Sequence, residues 1–234
     1  MATIRDLVES QIAYYDDRTP TYDDWLMRRG AFDRGFQENS EWLAERDMVI
    51  EAISSVKIVG HVVDIACGTA WWTQYLPSTV REVTLLDSSE SMLRIAEARL
   101  TGKFQVNSIC QDVFSWLPGQ LYDGALCTFW LSHVPNELLC KFLDSLRLAL
   151  KPGALVFVAD HKSGGLDRHP EEMSEGTTST TEPVIRHLDA KRYEIIKEIR
   201  TPASICAQFR EYGLVGALQQ TTSNFVFGAF HYSS

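Results

Sequence analysis

The 234-residue chain has no apolar run of the ~20 residues that a membrane-spanning helix needs. It also has little positive charge: the formal net charge is −9. A non-specific grip on nucleic acid requires a basic stripe that releases counterions. The nearest approaches are Arg28-Arg29 and the mixed stretch 191–200, so a nucleic-acid partner is disfavoured. The five cysteines form no C-x-x-C pair. Most of them sit in apolar runs such as VDIAC and ALCTF, where cysteine behaves as a small hydrophobe. Neither a disulfide framework nor a metal site is therefore expected. The start MATIRDLVES carries Asp6 and Glu9 and has no apolar core, unlike a secretory signal. Together with reduced thiols, this makes a cytoplasmic location the expectation. Internal repeats are absent. So is the dinucleotide fingerprint G-x-G-x-x-G, which argues against a nicotinamide-dependent reductase.

What is present is alternation. Hydrophobic residues make up 45% and charged residues 23% of the chain, an ordinary globular balance. Residues 1–57 read as an aromatic-rich helical segment, interrupted at Thr19-Pro20 because the residue before proline avoids helical angles. A helix over 41–55 leads into the core. From 58 to 162, short apolar strands (HVVDIA, VTLLD, 104–109, YDGALCTF, ALVFVAD) alternate with helices at 89–100 and 137–150. Lys151-Pro152-Gly153 reads as a turn. Apolar strands alternating with helices predict an α/β fold with a largely parallel sheet covered on both faces. Residues 163–183 form a polar insert read as mobile. Residues 184–234 add a helix near 203–212 and extended segments at 214–219 and 224–230, giving seven strands within one domain, 1–234.

The most informative segment is Val62-Val63-Asp64-Ile65-Ala66-Cys67-Gly68-Thr69-Ala70. A strand ends there in small residues, which lets the backbone approach a ligand. Asp64 would repel a pyrophosphate and suits a cationic ligand. The next strand ends at Asp87, 19 residues after Gly68, a spacing at which a carboxylate accepts both ribose hydroxyls. Cys110-Gln111-Asp112-Val113-Phe114 follows, with Asp112 able to accept from an adenine amino group and the Val113 backbone able to donate to the ring.

The runs D-I-A-C-G-T-A, L-L-D-S-S-E-S-M-L and Q-D-V-F-S-W-L-P, followed by F-W-L-S-H-V-P and L-K-P-G-A-L-V-F-V-A-D, resemble the successive motifs of class I S-adenosylmethionine-dependent methyltransferases over residues 60–160. Y-Y-D-D-R-T-P-T-Y-D-D-W-L and R-R-G-A-F-D-R-G add a narrower similarity to small actinobacterial enzymes that methylate small molecules. The resemblance implies a Rossmann-like seven-stranded sheet with an N-terminal helical lid, and S-adenosylmethionine as cofactor. Asp64, Ala66 and Gly68 would line its methionine part and Asp87 would hold the ribose. Met92 or Ser88 would flank the adenine, Asp112 and Val113 would read its edge, and Phe129 would sit near the sulfonium. Tyr22 and Arg29 would close over it. Ala66 and Ala70 stand where the family often has glycine. F-W-L-S stands where methyltransferases of base amino groups carry N-P-P-Y.

Beyond the fourth strand, His133 is the candidate base, since ligands in open α/β sheets lie outside the strands' carboxyl ends. A structural brace for the loop is an equally weighted role. His161, after the fifth strand, is the second candidate. Tyr14, Tyr15, Tyr22 and Trp25 form either an acceptor-walling lid, with Tyr15 and Tyr22 orienting the nucleophile, or an ordinary packed helix; phenols flanked by Asp16, Asp17, Asp23 and Asp24 favour the lid. The implied function is N- or O-methylation of a small molecule, as in natural-product biosynthesis. The alternative is a cofactor-binding protein that has lost methyl transfer or that catalyses a cyclisation. The acceptor is not legible, and the sequence is compatible with a homodimer.

Overall fold

A computed structural model describes residues 2–162 and 183–233. The stretch read as a polar insert therefore lies, apart from Pro183, outside the described residues. Helix α1 (Ile4–Arg18) opens with a capping box, Thr3 and Asp6 each accepting from the other's backbone N–H. It ends at the expected Thr19-Pro20 break, where residues Thr19–Thr21 tighten into a 3-10 turn. A short helix α2 (Asp24–Met27) follows, and then α3 (Phe36–Ser55). Helix α3 starts five residues before the expected 41. Its first turn carries an exposed Phe36 beside Gln37 and Glu38, so it has no apolar face to reveal it.

The central sheet holds seven strands: β1 (Gly60–Ile65), β2 (Val80–Asp87), β3 (Gln105–Cys110), β4 (Tyr122–Thr128), β5 (Leu150–His161), β8 (Leu214–Gln220) and β9 (Phe225–Tyr232). Their order is β3-β2-β1-β4-β5-β9-β8, with β3 to β5 parallel and β9 antiparallel to both its neighbours. The Lys151-Pro152-Gly153 segment lies inside β5 and is not a separate turn: Leu150 already pairs with Tyr122 of β4, and the three residues bulge out before pairing resumes at Leu155. Helices α4 (Glu90–Leu100), α5 (Asn136–Leu148) and α6 (Pro202–Glu211) flank the sheet. A hairpin of β6 (Pro183–Leu188) and β7 (Lys191–Ile196), which the sequence reading did not assign, packs on α1.

Alternation along each strand divides the core in two. Val63, Ile65, Leu86, Ala125, Cys127, Val156 and Val158 face α5 and α6. Val62, Leu85, Leu126, Phe157 and Phe227 face α3 and α4. Both faces are covered, which is why the strands read as nearly continuous apolar runs.

One buried carboxylate fastens α3 to the antiparallel edge. Glu45 accepts hydrogen bonds from Thr221 Oγ1 (2.6 Å), Ser223 N (2.8 Å), Asn224 N (2.8 Å) and Asn224 Nδ2 (2.9 Å). Each buried donor left without its partner costs about 1–3 kcal/mol. We expect Glu45→Ala to destabilise the fold by about 2–4 kcal/mol, read by urea denaturation. A loss below about 0.5 kcal/mol, the scale of an ordinary surface change, would show that the turn between β8 and β9 holds without it.

Candidate active site

The turn after β1 is built from left-handed residues. Ala66 (φ 53°), Gly68 (φ 52°) and Ala70 (φ 53°) all have positive φ. The two alanines that depart from the family's glycines thus occupy positions where glycine is the unstrained residue, at a cost of about 1–2 kcal/mol each. The turn is held by Asp87 at the end of β2. Its Oδ2 accepts from Gly68 N at 2.8 Å and its Oδ1 from Ser89 N at 2.9 Å. Burial raises the Asp87 carboxyl pKa, against the pull of these backbone donors.

A cavity of about 620 Å³ opens over this turn. Ala66, Gly68, Asp87, Ser88, Asp112, Val113 and Phe129 line it from beyond the carboxyl ends of β1, β2, β3 and β4, with Met92 from α4. Asp112 caps the 3-10 turn that follows it, accepting from Phe114 N at 3.1 Å. Tyr22 lies over the turn, its ring 3.3 Å from where a Gly68 Cβ would stand. Residues of α1 close the other side, among them Gln11.

Two expected contacts are not among the lining residues. Arg29 is exposed, because Arg28 adopts left-handed angles (φ 51°) and turns the chain away. Arg28 is the buried arginine, and its guanidinium stacks 3.5 Å over the Trp42 ring. Asp64 is also absent from the lining. It lies 1% exposed behind the turn, where one oxygen accepts from Thr73 Oγ1 and the other, Oδ1, has no partner. Burial pushes its pKa up to about 7, with the nearby Asp87 adding to the shift.

A second cavity, of about 560 Å³, adjoins the first and shares Tyr15, Tyr22, Phe129 and His133 with it. Tyr14, Trp25 and His161 line this second cavity only. Phe129 has φ 56°, a strained angle for a non-glycine residue, and its ring meets Trp25, Trp72 and His161 at 5.0–5.1 Å. Although the Thr19–Thr21 turn breaks the helical register, the Tyr15 and Tyr22 rings still meet at 6.0 Å. The flanking aspartates do the tethering. Asp16 accepts from Ser89 Oγ (2.5 Å), Asp17 from Lys191 Nζ (2.6 Å), and Asp23 from Thr69 Oγ1 (2.6 Å).

His133 is buried, and its hydrogen bonds fix its tautomer. Nδ1 lies 2.8 Å from the Ile196 carbonyl oxygen, which can only accept, so Nδ1 carries the proton. Nε2 is then the acceptor for the Tyr15 hydroxyl at 2.9 Å. Burial, followed by Lys197, holds the His133 pKa well below its usual value, while burial raises that of Tyr15. The pair is neutral. Gln11, whose role the sequence did not disclose, braces it by donating to the His133 carbonyl (3.2 Å) and accepting from Ile196 N (3.1 Å). Arg18, Arg186 and Lys197 were likewise missed. A faint signal existed for the last two: apolar alternation on either side of Asp189-Ala190 marks a hairpin.

The donor and acceptor set of the first cavity fits a nucleoside with a cationic tail: free lone pairs on Asp87 and Asp112, small residues at the turn, and an orphaned carboxylate oxygen behind it. Asp64 has a folded pKa of about 7 against 3.8 as an ordinary carboxyl. Its contribution to stability is therefore lost as pH rises through that window. Asp64→Asn keeps an acceptor for Thr73, so without ligand its Tm advantage over the parent should grow from pH 4 to pH 7 and then level. An advantage that stays constant with pH would mean that Asp64 does not titrate there.

Residues 62–153 match the family model described as a methyltransferase domain. Among curated relatives, the demethylmenaquinone methyltransferase of Bacillus subtilis (strain 168) is 32% identical over 127 residues, 52% of each chain. That of Staphylococcus haemolyticus (strain JCSC1435) is 32% identical over 106 residues, 43% of each. The chain thus spans about half the length of the curated relatives it matches. Solved structures match more completely. A complex of DhpI with SAH is 25% identical with a TM-score of 0.77, covering 99% of both chains. A complex of DhpI with SAM and HEP is 26% identical with a TM-score of 0.78, covering 98% of this chain and 99% of that one. The N-methyltransferase NodS of Bradyrhizobium japonicum WM9 shares the fold at 12% identity and a TM-score of 0.56, over 85% of this chain and all of the other. By the match across β1 to β5 and the likeness along nearly its whole length, this chain has the Rossmann-like fold of the class I S-adenosylmethionine-dependent methyltransferases.

Proposed function

We propose that this protein transfers a methyl group from S-adenosylmethionine to an oxygen or nitrogen of a small molecule. One observation carries the reading: a cavity lined by the carboxylates and small residues of the β1–β3 ends and a second cavity meet at Tyr15, Tyr22, Phe129 and His133. In this reading Asp87 holds the ribose, Asp112 and Val113 hold the adenine edge, and Ala66 and Gly68 admit the methionine part. Asp64 supplies negative potential from behind. When bound, S-adenosylmethionine supplies an electrophilic methyl on a sulfonium. The protein then has to align the nucleophile and exclude water, and alignment alone can lower a barrier by about 7–11 kcal/mol. In this reading the N-terminal lid excludes water; no helix among the described residues is long and apolar enough to cross a membrane.

The neutral Tyr15–His133 pair favours oxygen over nitrogen. A hydroxyl acceptor becomes strongly acidic as its oxygen gains carbon. Tyr15 takes that proton while passing its own to His133 Nε2, and the Ile196 carbonyl steadies the imidazolium. A base of low pKa suffices at this late stage. A weak base also matches the environment, since a protonated amine finds no carboxylate among the described residues lining the second cavity. Demethylmenaquinone, named for the curated relatives, does not carry over, because those matches cover about half of each chain.

Calorimetric titration with S-adenosylmethionine and S-adenosylhomocysteine should give micromolar or tighter binding of both, weakened at least tenfold by Asp87→Ala. No binding of either would remove the reading. Once an acceptor is in hand, Tyr15→Phe and His133→Phe should each lower kcat by about 10²–10⁴-fold, and the double variant should lose little more than either alone. Additive losses would mean that the two side chains do not act as one relay. Because His133 is already neutral, kcat/KM should show no histidine limb between pH 6.5 and 8.

A further inference from the structure

The second cavity collects positive charge. Arg18 from the end of α1, Arg186 from β6 and Lys197 just after β7 all line it, and no carboxylate does so among the described residues. Three elements distant in sequence thus bring cations to one cavity, in a chain whose net charge is −9. Arg18 is the most telling. Its guanidinium carbon lies over the rings of Tyr14 (5.9 Å), Tyr22 (5.4 Å) and Phe32 (5.0 Å), which surround it with aromatic faces. Its Nη2 is buried and has no hydrogen-bond partner. A buried guanidinium N–H without an acceptor is costly unless something supplies one. Held planar against aromatic faces, the fork suits a two-oxygen anion. His161, deep in the same cavity, has its pKa driven well below the usual value by burial and then by Lys197, Arg28, Arg186 and Arg18, so it adds no positive charge of its own.

We infer that the methyl acceptor carries an oxyacid anion, a carboxylate or a phosphoryl-type group, bound by Arg18, Arg186 and Lys197. This rests on the reading of the chain as a methyltransferase and names its substrate class. The anion is the anchoring group. Arg18, Arg186 and Lys197 line the second cavity only, so they hold the anion there, and the atom to be methylated faces Tyr15 and Phe129 on the wall shared with the first cavity. Such an anchor explains why the catalytic pair is kept neutral. A charged imidazole or phenolate there would compete with the anion or repel it. It also explains how a cavity walled by Trp25, Phe32 and Phe129 takes a small charged molecule: the rings exclude water, which strengthens each charge-assisted hydrogen bond.

Calorimetry on the protein saturated with S-adenosylhomocysteine tests this with benzoate, phenyl phosphate and the neutral isostere benzamide. At least one anion should bind saturably and at least tenfold more tightly than benzamide. Preference for benzoate would assign a carboxylate, and preference for phenyl phosphate a phosphoryl group. Arg18→Met should weaken the preferred anion at least tenfold. Lys197→Met, at a partly exposed position outside the cofactor cavity, should also weaken it while leaving S-adenosylhomocysteine affinity unchanged; this keeps the test valid if Arg18→Met fails to fold. Equal or better binding of benzamide, or anion binding indifferent to both substitutions, would overturn the oxyanion site while leaving the methyltransferase reading intact. If S-adenosylhomocysteine itself does not bind, the methyltransferase reading fails, and the inference about its acceptor fails with it.

Discussion

The hydrogen bond from the Gly68 N–H to the Asp87 carboxylate is the constraint on which the site depends. It ties the turn after β1 to the end of β2 and holds three left-handed residues in place. With the turn fixed, Thr69 is presented to Asp23, Ser89 to Asp16, and the open backbone at Gly68 to the Tyr22 ring. The N-terminal segment therefore docks on the same few residues that floor the first cavity. Asp64 lies directly behind this turn, and its burial without a full set of donors is a local destabilisation that a cationic ligand would offset.

Packing of the N-terminal helix sets the electrostatics of the wall the two cavities share. Burial keeps His133 and Tyr15 neutral. The hairpin β6–β7 seals that corner: Ile196 supplies the carbonyl that fixes the His133 tautomer, and Gln11 locks helix to hairpin. In the proposed reading, cofactor binding and acceptor binding fall to two cavities that share Tyr15, Tyr22, Phe129 and His133. Among the described residues, acidic side chains line the first cavity and basic ones the second. A sulfonium donor and an anionic acceptor would each meet the charge that suits it.

Much of the site was legible because parallel sheets place ligands at strand ends. Asp87, Asp112 and Gly68 could be read from strand boundaries and spacing alone. His133 was legible as a loop residue beyond β4, with base and brace as its two candidate roles, but its bond to the Ile196 carbonyl, 63 residues away, was not. Arg29 misled because the left-handed turn at Arg28 reverses which of the two arginines points inward. The start of α3 was missed because its first turn is polar around an exposed Phe36, and the β6–β7 hairpin because its alternation runs over only two six-residue strands.

By itself the sequence determined the parallel α/β core, the order of the cofactor-facing turns and the break at Thr19-Pro20. These follow from hydrophobic period, from small residues at strand ends and from proline's fixed geometry, all of which are local. Only the tertiary structure decided that Tyr15 and His133 form one neutral pair, that Asp64 stands behind the turn and not in it, and that Arg18, Arg186 and Lys197 face a common cavity. Those properties depend on burial and on partners far apart in the chain, and no local pattern encodes them.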